Sequence, residues 1–132
     1  MLFRSDGVAP LVGRKDVDSA SMKLRRSPVV LGPSDDGAVW AGAFAELVDF
    51  EGAYTPPALE TLAQRAVDAG HDVDYAPTYP RIDVASGLRA TVAQLRARQH
   101  ADRVVPEHTA GVVDDLGLAV RDRGDGPELV RE

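Results

Sequence analysis

The sequence predicts a mainly α protein: a small bundle of about four helices that ends in a C-terminal β-hairpin and is preceded by an extended N-terminal arm. Three observations lead to this. Residues 1–33 are basic and weakly patterned, with six cations against three carboxylates for a net +3, whereas residues 34–132 carry a net −9. Within 34–132, apolar residues recur at helical spacing between helix-start and helix-stop signals. The last fifteen residues alternate around an Asp-Gly turn. The expected organisation is an arm at 1–33 and a helical domain at 34–132, since a chain of this length makes one domain of ordinary size.

The arm opens with Leu2 and Phe3 and continues as GVAPLVG, where Pro10 and two glycines limit any regular element. Asp16 can cap a short helix over VDSASMKLRR, which places Val17, Ser21 and Leu24 on one side. Lys23, Arg25 and Arg26 then fall at the carboxyl end, where cations suit the helix dipole. The prolines of SPVVLGP predict an extended stretch.

The domain proper starts at Ser34, a helix cap by its hydroxyl, with Asp35 and Asp36 in the first turn. Trp40, Ala43, Phe44, Leu47 and Phe50 follow at helical spacing and predict a first helix ended by Gly52. A second helix has Thr55 as cap, Pro56 at its first position and Gly70 as its left-handed stop, with Leu59, Leu62, Ala63, Ala66 and Val67 lining one face. HDVDYAPTYPRI then reads as a short strand or an extended connector. Asp83 caps a third helix running to about His100, with Val84, Leu88, Thr91, Val92 and Leu95 inward. A fourth helix starts near Pro106 and closes at Gly117. In the hairpin LAVRDR-GDG-PELVR, Leu118 and Val120 point one way and Ala119 and Arg121 the other.

The residue inventory limits the chemistry. There is no Cys, and therefore no disulfide, thiolate metal site or thiol nucleophile. His71, His100 and His108 lack the spacing that puts two ligands on one helical face, so no metal site is expected. No nucleophile elbow and no glycine-rich phosphate loop is present, and DRGDGPE lacks the alternating ligands of a calcium loop. The expectation is a non-enzyme without catalytic residues or cofactors. With no leader-like apolar stretch at the start and no long apolar run, it is expected to be soluble, cytoplasmic or within a virus particle, and without a membrane partner.

The charge contrast points to a structural or assembly subunit whose cationic arm docks on a neighbouring copy or a partner protein, since such an arm gains attraction and register on an anionic surface. The expected partner-binding residues are Leu2, Phe3, Arg14, Lys15, Lys23, Arg25, Arg26, Val29 and Val30. A homo-oligomer is expected, possibly a closed ring, for which the head-tail connectors of tailed viruses are an architectural analogy.

The alternative is DNA binding. A short helix followed by LGLAVRDRGDGPELV resembles in outline the winged-helix regulators, whose chain passes from a recognition helix through a Gly-Leu step into a two-stranded wing. That resemblance covers roughly the last fifty residues. The helix in the recognition position carries Glu107, Asp114 and Asp115 without Arg or Lys, which disfavours contact with phosphates. The third helix would then have to do the reading, through Arg89, Arg96 and Arg98, with Arg103 just beyond.

Overall fold

In a computed structural model, which describes residues 2–5, 9–82 and 85–132, the chain forms a mixed α/β protein. Asp83 and Val84, expected to open the third helix, lie outside the described residues, and so do the side chains of Leu2 and Phe3. The chain divides into two compact units, Met1–Gly7 with Arg14–Tyr79 and Val8–Gly13 with Pro80–Glu132.

The first unit is built on a sheet. Its elements in chain order are β1 (Leu2–Ser5), α1 (Arg14–Lys23), β2 (Val29–Pro33), β3 (Val39–Phe44), α2 (Ala58–Asp68) and β4 (Val73–Tyr75). The strand order is β1-β3-β2-β4, with β3 antiparallel to both β1 and β2, and β4 parallel to β2. Alternation along β2 sends Val29 and Leu31 to one face, where they pack with Val39, Phe44, Ala53 and with Ala58, Leu62 and Ala66 of α2. Val30 goes to the other face and packs with Ala43 and with Ala20 and Leu24 of α1. The sheet is therefore covered by α1 on one side and α2 on the other.

This arrangement corrects the expected helical bundle and the extended arm. SPVVLGP is a continuous apolar run because β2 is a central strand buried on both faces, and such strands do not alternate. Likewise VWAGAF, whose apolar residues also satisfy helical spacing, is the fully buried strand β3. A six-residue apolar run satisfies both periods, and pairing with β2 decides between them. Ser34 is not a helix cap. It closes the β2–β3 turn, its amide donating to the Ala38 carbonyl at 2.9 Å. The pairing steps from Gly32–Ala41 to Pro33–Val39, so Trp40 is the extra residue of a bulge, and its indole lies on Gly32.

The second helix is close to expectation but starts later. Pro57 rather than Thr55 stands at the N-cap, and Gly70 follows the helix at φ +80°. β4 falls where the short strand was expected.

The second unit contains α3 (Ala85–His100), α4 (Glu107–Leu116), β5 (Leu118–Asp122) and β6 (Pro127–Arg131), the last two paired antiparallel. Thr91, Val92 and Leu95 are buried on the expected face of α3. Gly117 caps α4 in the left-handed region at φ +64°, and leads directly into the hairpin. Ala119 is the most buried residue of β5, with Leu118 and Val120 half-buried. The segment before α1 belongs to this unit: Leu11 is buried, and Thr109 of α4 donates to the Pro10 carbonyl at 3.1 Å.

Candidate functional site

His71 lies just beyond the stop of α2, His100 at the end of α3 and His108 in the first turn of α4. Among the described residues no group of three or more His, Asp or Glu side chains is placed to hold a metal ion. No helix among them is long and apolar enough to cross a membrane.

The principal buried polar network lies on the α1 side of the sheet. Asp16 is in the first turn of α1, buried, and its Oδ1 accepts a hydrogen bond from the Tyr79 hydroxyl at 2.9 Å. The Tyr79 ring meets Trp40 edge-on at 5.7 Å, and Trp40 Nε1 donates to the Pro77 carbonyl at 2.9 Å. These contacts pin the chain after β4 against the bulge. They account for Asp16 as an anchor rather than the expected cap.

The sequence-predicted docking residues fall into two groups. Val29 and Val30 are in the core of the sheet, with 0% and 2% exposure, and cannot present an apolar surface to a partner. Leu2 and Phe3 lie in β1, paired with Phe44 and Ala43. Lys23 is half-buried and turns back on its own unit, where its Nζ donates to the Tyr75 carbonyl at 2.6 Å.

Arg14, Lys15, Arg25 and Arg26 remain exposed. At 3.6 residues per turn they occupy the solvent side of α1 and the turn that continues it, together with Asp18, Ser19, Ser21 and Met22, which is 65% exposed. Four cations around one exposed methionine therefore form a surface on a unit that is otherwise strongly anionic. From residue 27 to 79 a single cation, Arg65, accompanies nine carboxylates, and Arg65 is itself paired with Asp49 at 2.9 Å.

On the opposite side of the sheet, α2 leaves part of its apolar stripe uncovered. Leu62 and Ala66 point into the core, Leu59 and Ala63 pack against its edge while half-buried, and Val67 continues their line as an exposed residue. With Pro57, Gly37 and Tyr75 they line an open groove of about 520 Å³. Val67 is 60% and Tyr75 45% exposed. All five apolar residues of α2 share one face, as their spacing predicts, and four of them lie in or against the core; the groove along Val67 and the exposure of Met22 are not signalled by that spacing.

Of the expected nucleic-acid arginines in the second unit only Arg103 is exposed. Arg96 is directed at the α4–β5 junction: its Nε and Nη2 donate to the Leu118 carbonyl at 3.1 and 2.9 Å, and its Nη1 to Asp114. Arg89 and Arg98 are half-buried, and Arg103 is exposed beyond the helix end. A hollow of about 350 Å³ is lined by Arg96, His100, Gly117, Arg121 and Glu132, and there Arg121 pairs with Glu132 at 2.8 Å.

Comparison with protein-family models and with curated protein sequences finds no match to this chain.

Proposed function

We propose that the protein is a non-enzymatic assembly subunit that engages acidic protein surfaces through the exposed face of α1. The observation that carries this reading is the segregation of Arg14, Lys15, Arg25 and Arg26 around Met22, on a unit whose remaining surface is anionic. Cations in this arrangement steer an anionic partner and fix its register, and an exposed methionine at the centre supplies an adaptable apolar contact. The docking element is thus a folded helix face rather than a free arm, and the partner residues reduce to Arg14, Lys15, Arg25, Arg26 and Met22.

The experiment is site-specific photo-crosslinking in the cells that make the protein, with the photoreactive residue at position 22 and, as control, at the exposed Thr78. Protein adducts are expected from position 22 and not from 78, and the pair Arg25→Glu and Arg26→Glu should abolish them. The absence of any protein adduct at position 22 overturns the reading.

A second reading is favoured by one observation, the passage from α4 through Gly117 directly into the β5–β6 hairpin, as in a winged helix. It supports duplex DNA binding by the second unit. The exposed carboxylates of Glu107, Asp114 and Asp115 on α4, and the engagement of Arg96 by Asp114, weigh against it. Fluorescence anisotropy with a labelled duplex at low salt tests it, and affinity unchanged in Arg103→Ala and Arg123→Ala removes it.

A further inference from the structure

We propose that the groove on α2 receives the Met22 face of α1 from a second copy of this chain, in a head-to-tail contact. This rests on the reading of α1 as a protein-docking face, and it names the partner.

The two surfaces complement each other in shape and in charge. The groove is lined by Leu59, Ala63, Val67 and Tyr75 on its apolar part. Glu60 is in its wall, and Asp36, Asp68 and Asp74 are the sequence neighbours of its lining residues Gly37, Val67 and Tyr75. Lys23, which reaches β4 from the other face, is already bound to the Tyr75 carbonyl, and Arg65 of α2 is bound to Asp49. Glu60 is thus the one charged residue among those lining the groove, and the exposed Asp36 and Asp68 next to its lining residues add to an anionic surrounding. The face of α1 is the reverse in net charge: a 65% exposed methionine with Arg14, Lys15, Arg25 and Arg26 on its side of the helix against the single carboxylate of Asp18. An amphipathic helix laid in an apolar groove is a recurrent recognition mode, and opposite charges at the rim set its orientation. The open shape suits a side chain presented by a helix better than a small ligand, whose pocket encloses most of its surface.

Topology determines the kind of contact. Val30 and Ala43 carry α1 on one face of the sheet, and Val29, Leu31 and Phe44 carry α2 on the other. The two surfaces of one molecule therefore face away from each other and cannot meet within it. Joining different patches on two copies is heterologous, so the association closes into a ring where the rotation permits and otherwise continues as an open chain.

The test uses full-length protein in sedimentation velocity and light scattering over a concentration series, at low salt and at about 1 M salt, where charge at the rim is screened. Two variants each destroy one face: Met22→Glu on α1 and Val67→Arg in the groove. Both positions are mostly exposed, so folding should be retained, as circular dichroism can verify. Wild type should form oligomers whose population rises with concentration and falls with salt. Each variant alone should associate at least about thirtyfold more weakly, the size of effect expected for a central contact residue. An equimolar mixture of the two should give a species at twice the chain mass and nothing larger, because each variant contributes its one intact face.

A wild type that is monomeric at every concentration overturns the proposal. So does a mixture of variants that fails to pair, or association that persists undiminished in either variant alone. Crosslinks from position 22 to a different protein, with a monomeric wild type, remove the self-contact and leave α1 as a docking face. No crosslink of any kind removes both.

Discussion

The Tyr79 hydroxyl donates to the buried carboxylate of Asp16 across 63 residues of sequence, at 2.9 Å. The bond joins the first turn of α1 to the chain that follows β4, and the Tyr79 ring meets the Trp40 bulge beside it. Tyr79→Phe keeps the ring and removes the donor. Hydrogen bonds to charged groups contribute roughly 1.5–3 kcal/mol, so the variant should be destabilised by about that amount, read as a lower urea midpoint at unchanged slope.

Lys23 covers the Tyr75 carbonyl on edge strand β4, while the amide of Tyr75 is held by the Asp74 carboxylate at 2.8 Å. Both polar groups at this point of the edge are thereby occupied, a protection natural sheets need against pairing with other chains. Lys23→Met should lower stability by about 0.5–1.5 kcal/mol and shorten the lag of thioflavin-positive aggregation on agitation.

Gly32 is required by the bulge. A Cβ there would lie 2.5 Å from Trp40 Cε2, and the indole is fully buried and held at Nε1. Gly32→Ala should cost about 1–3 kcal/mol or more, as overpacking does, measurable as a lower thermal midpoint. Gly37, whose Cβ would meet nothing within 4 Å but whose φ is +83°, should instead show the smaller cost of a left-handed position.

Ser34 distinguishes the strand turn from a helix cap. Its hydroxyl is buried with no hydrogen-bond partner among the described residues. A capping serine costs about 0.5–2 kcal/mol on replacement by alanine. Ser34→Ala here should be neutral or stabilising in chemical denaturation, because it removes an unsatisfied buried group.

Arg96 ties α3 to α4 and to the start of the hairpin through Asp114 and the Leu118 carbonyl. Arg96→Met retains the aliphatic stem and removes these bonds. It should destabilise the second unit by about 1.5–3 kcal/mol, seen as loss of amide-exchange protection in α4 and β5.

Elements with their own punctuation were legible in advance. α2 with its stop at Gly70, α4 between Pro106 and Gly117, and the β5–β6 hairpin carry local signals that need no distant partner. β2 and β3 were not, since a strand buried on both faces and a short apolar helix share one pattern. Of the candidate docking residues, Arg14, Lys15, Arg25 and Arg26 are exposed, while Val29 and Val30 are core. Their hydrophobicity is the same in either role, and only pairing with β3 and β4 tells them apart.

Composition and spacing by themselves determined where the charge lies along the chain, the absence of thiol chemistry, and the stops of α2 and α4, while the Ser34 and Gly52 signals proved to flank a strand. The tertiary structure alone decided that the extended stretch after the short basic helix is a central strand and that the leader packs as part of the sheet rather than as an arm. Strand pairing is non-local: β2 is defined by hydrogen bonds to β3 and to β4, some forty residues away, and no window around Val29–Pro33 contains that information. The same pairing places α1 and α2 on opposite faces of the sheet, which turns a contrast of charge along the sequence into two separate surfaces on one unit.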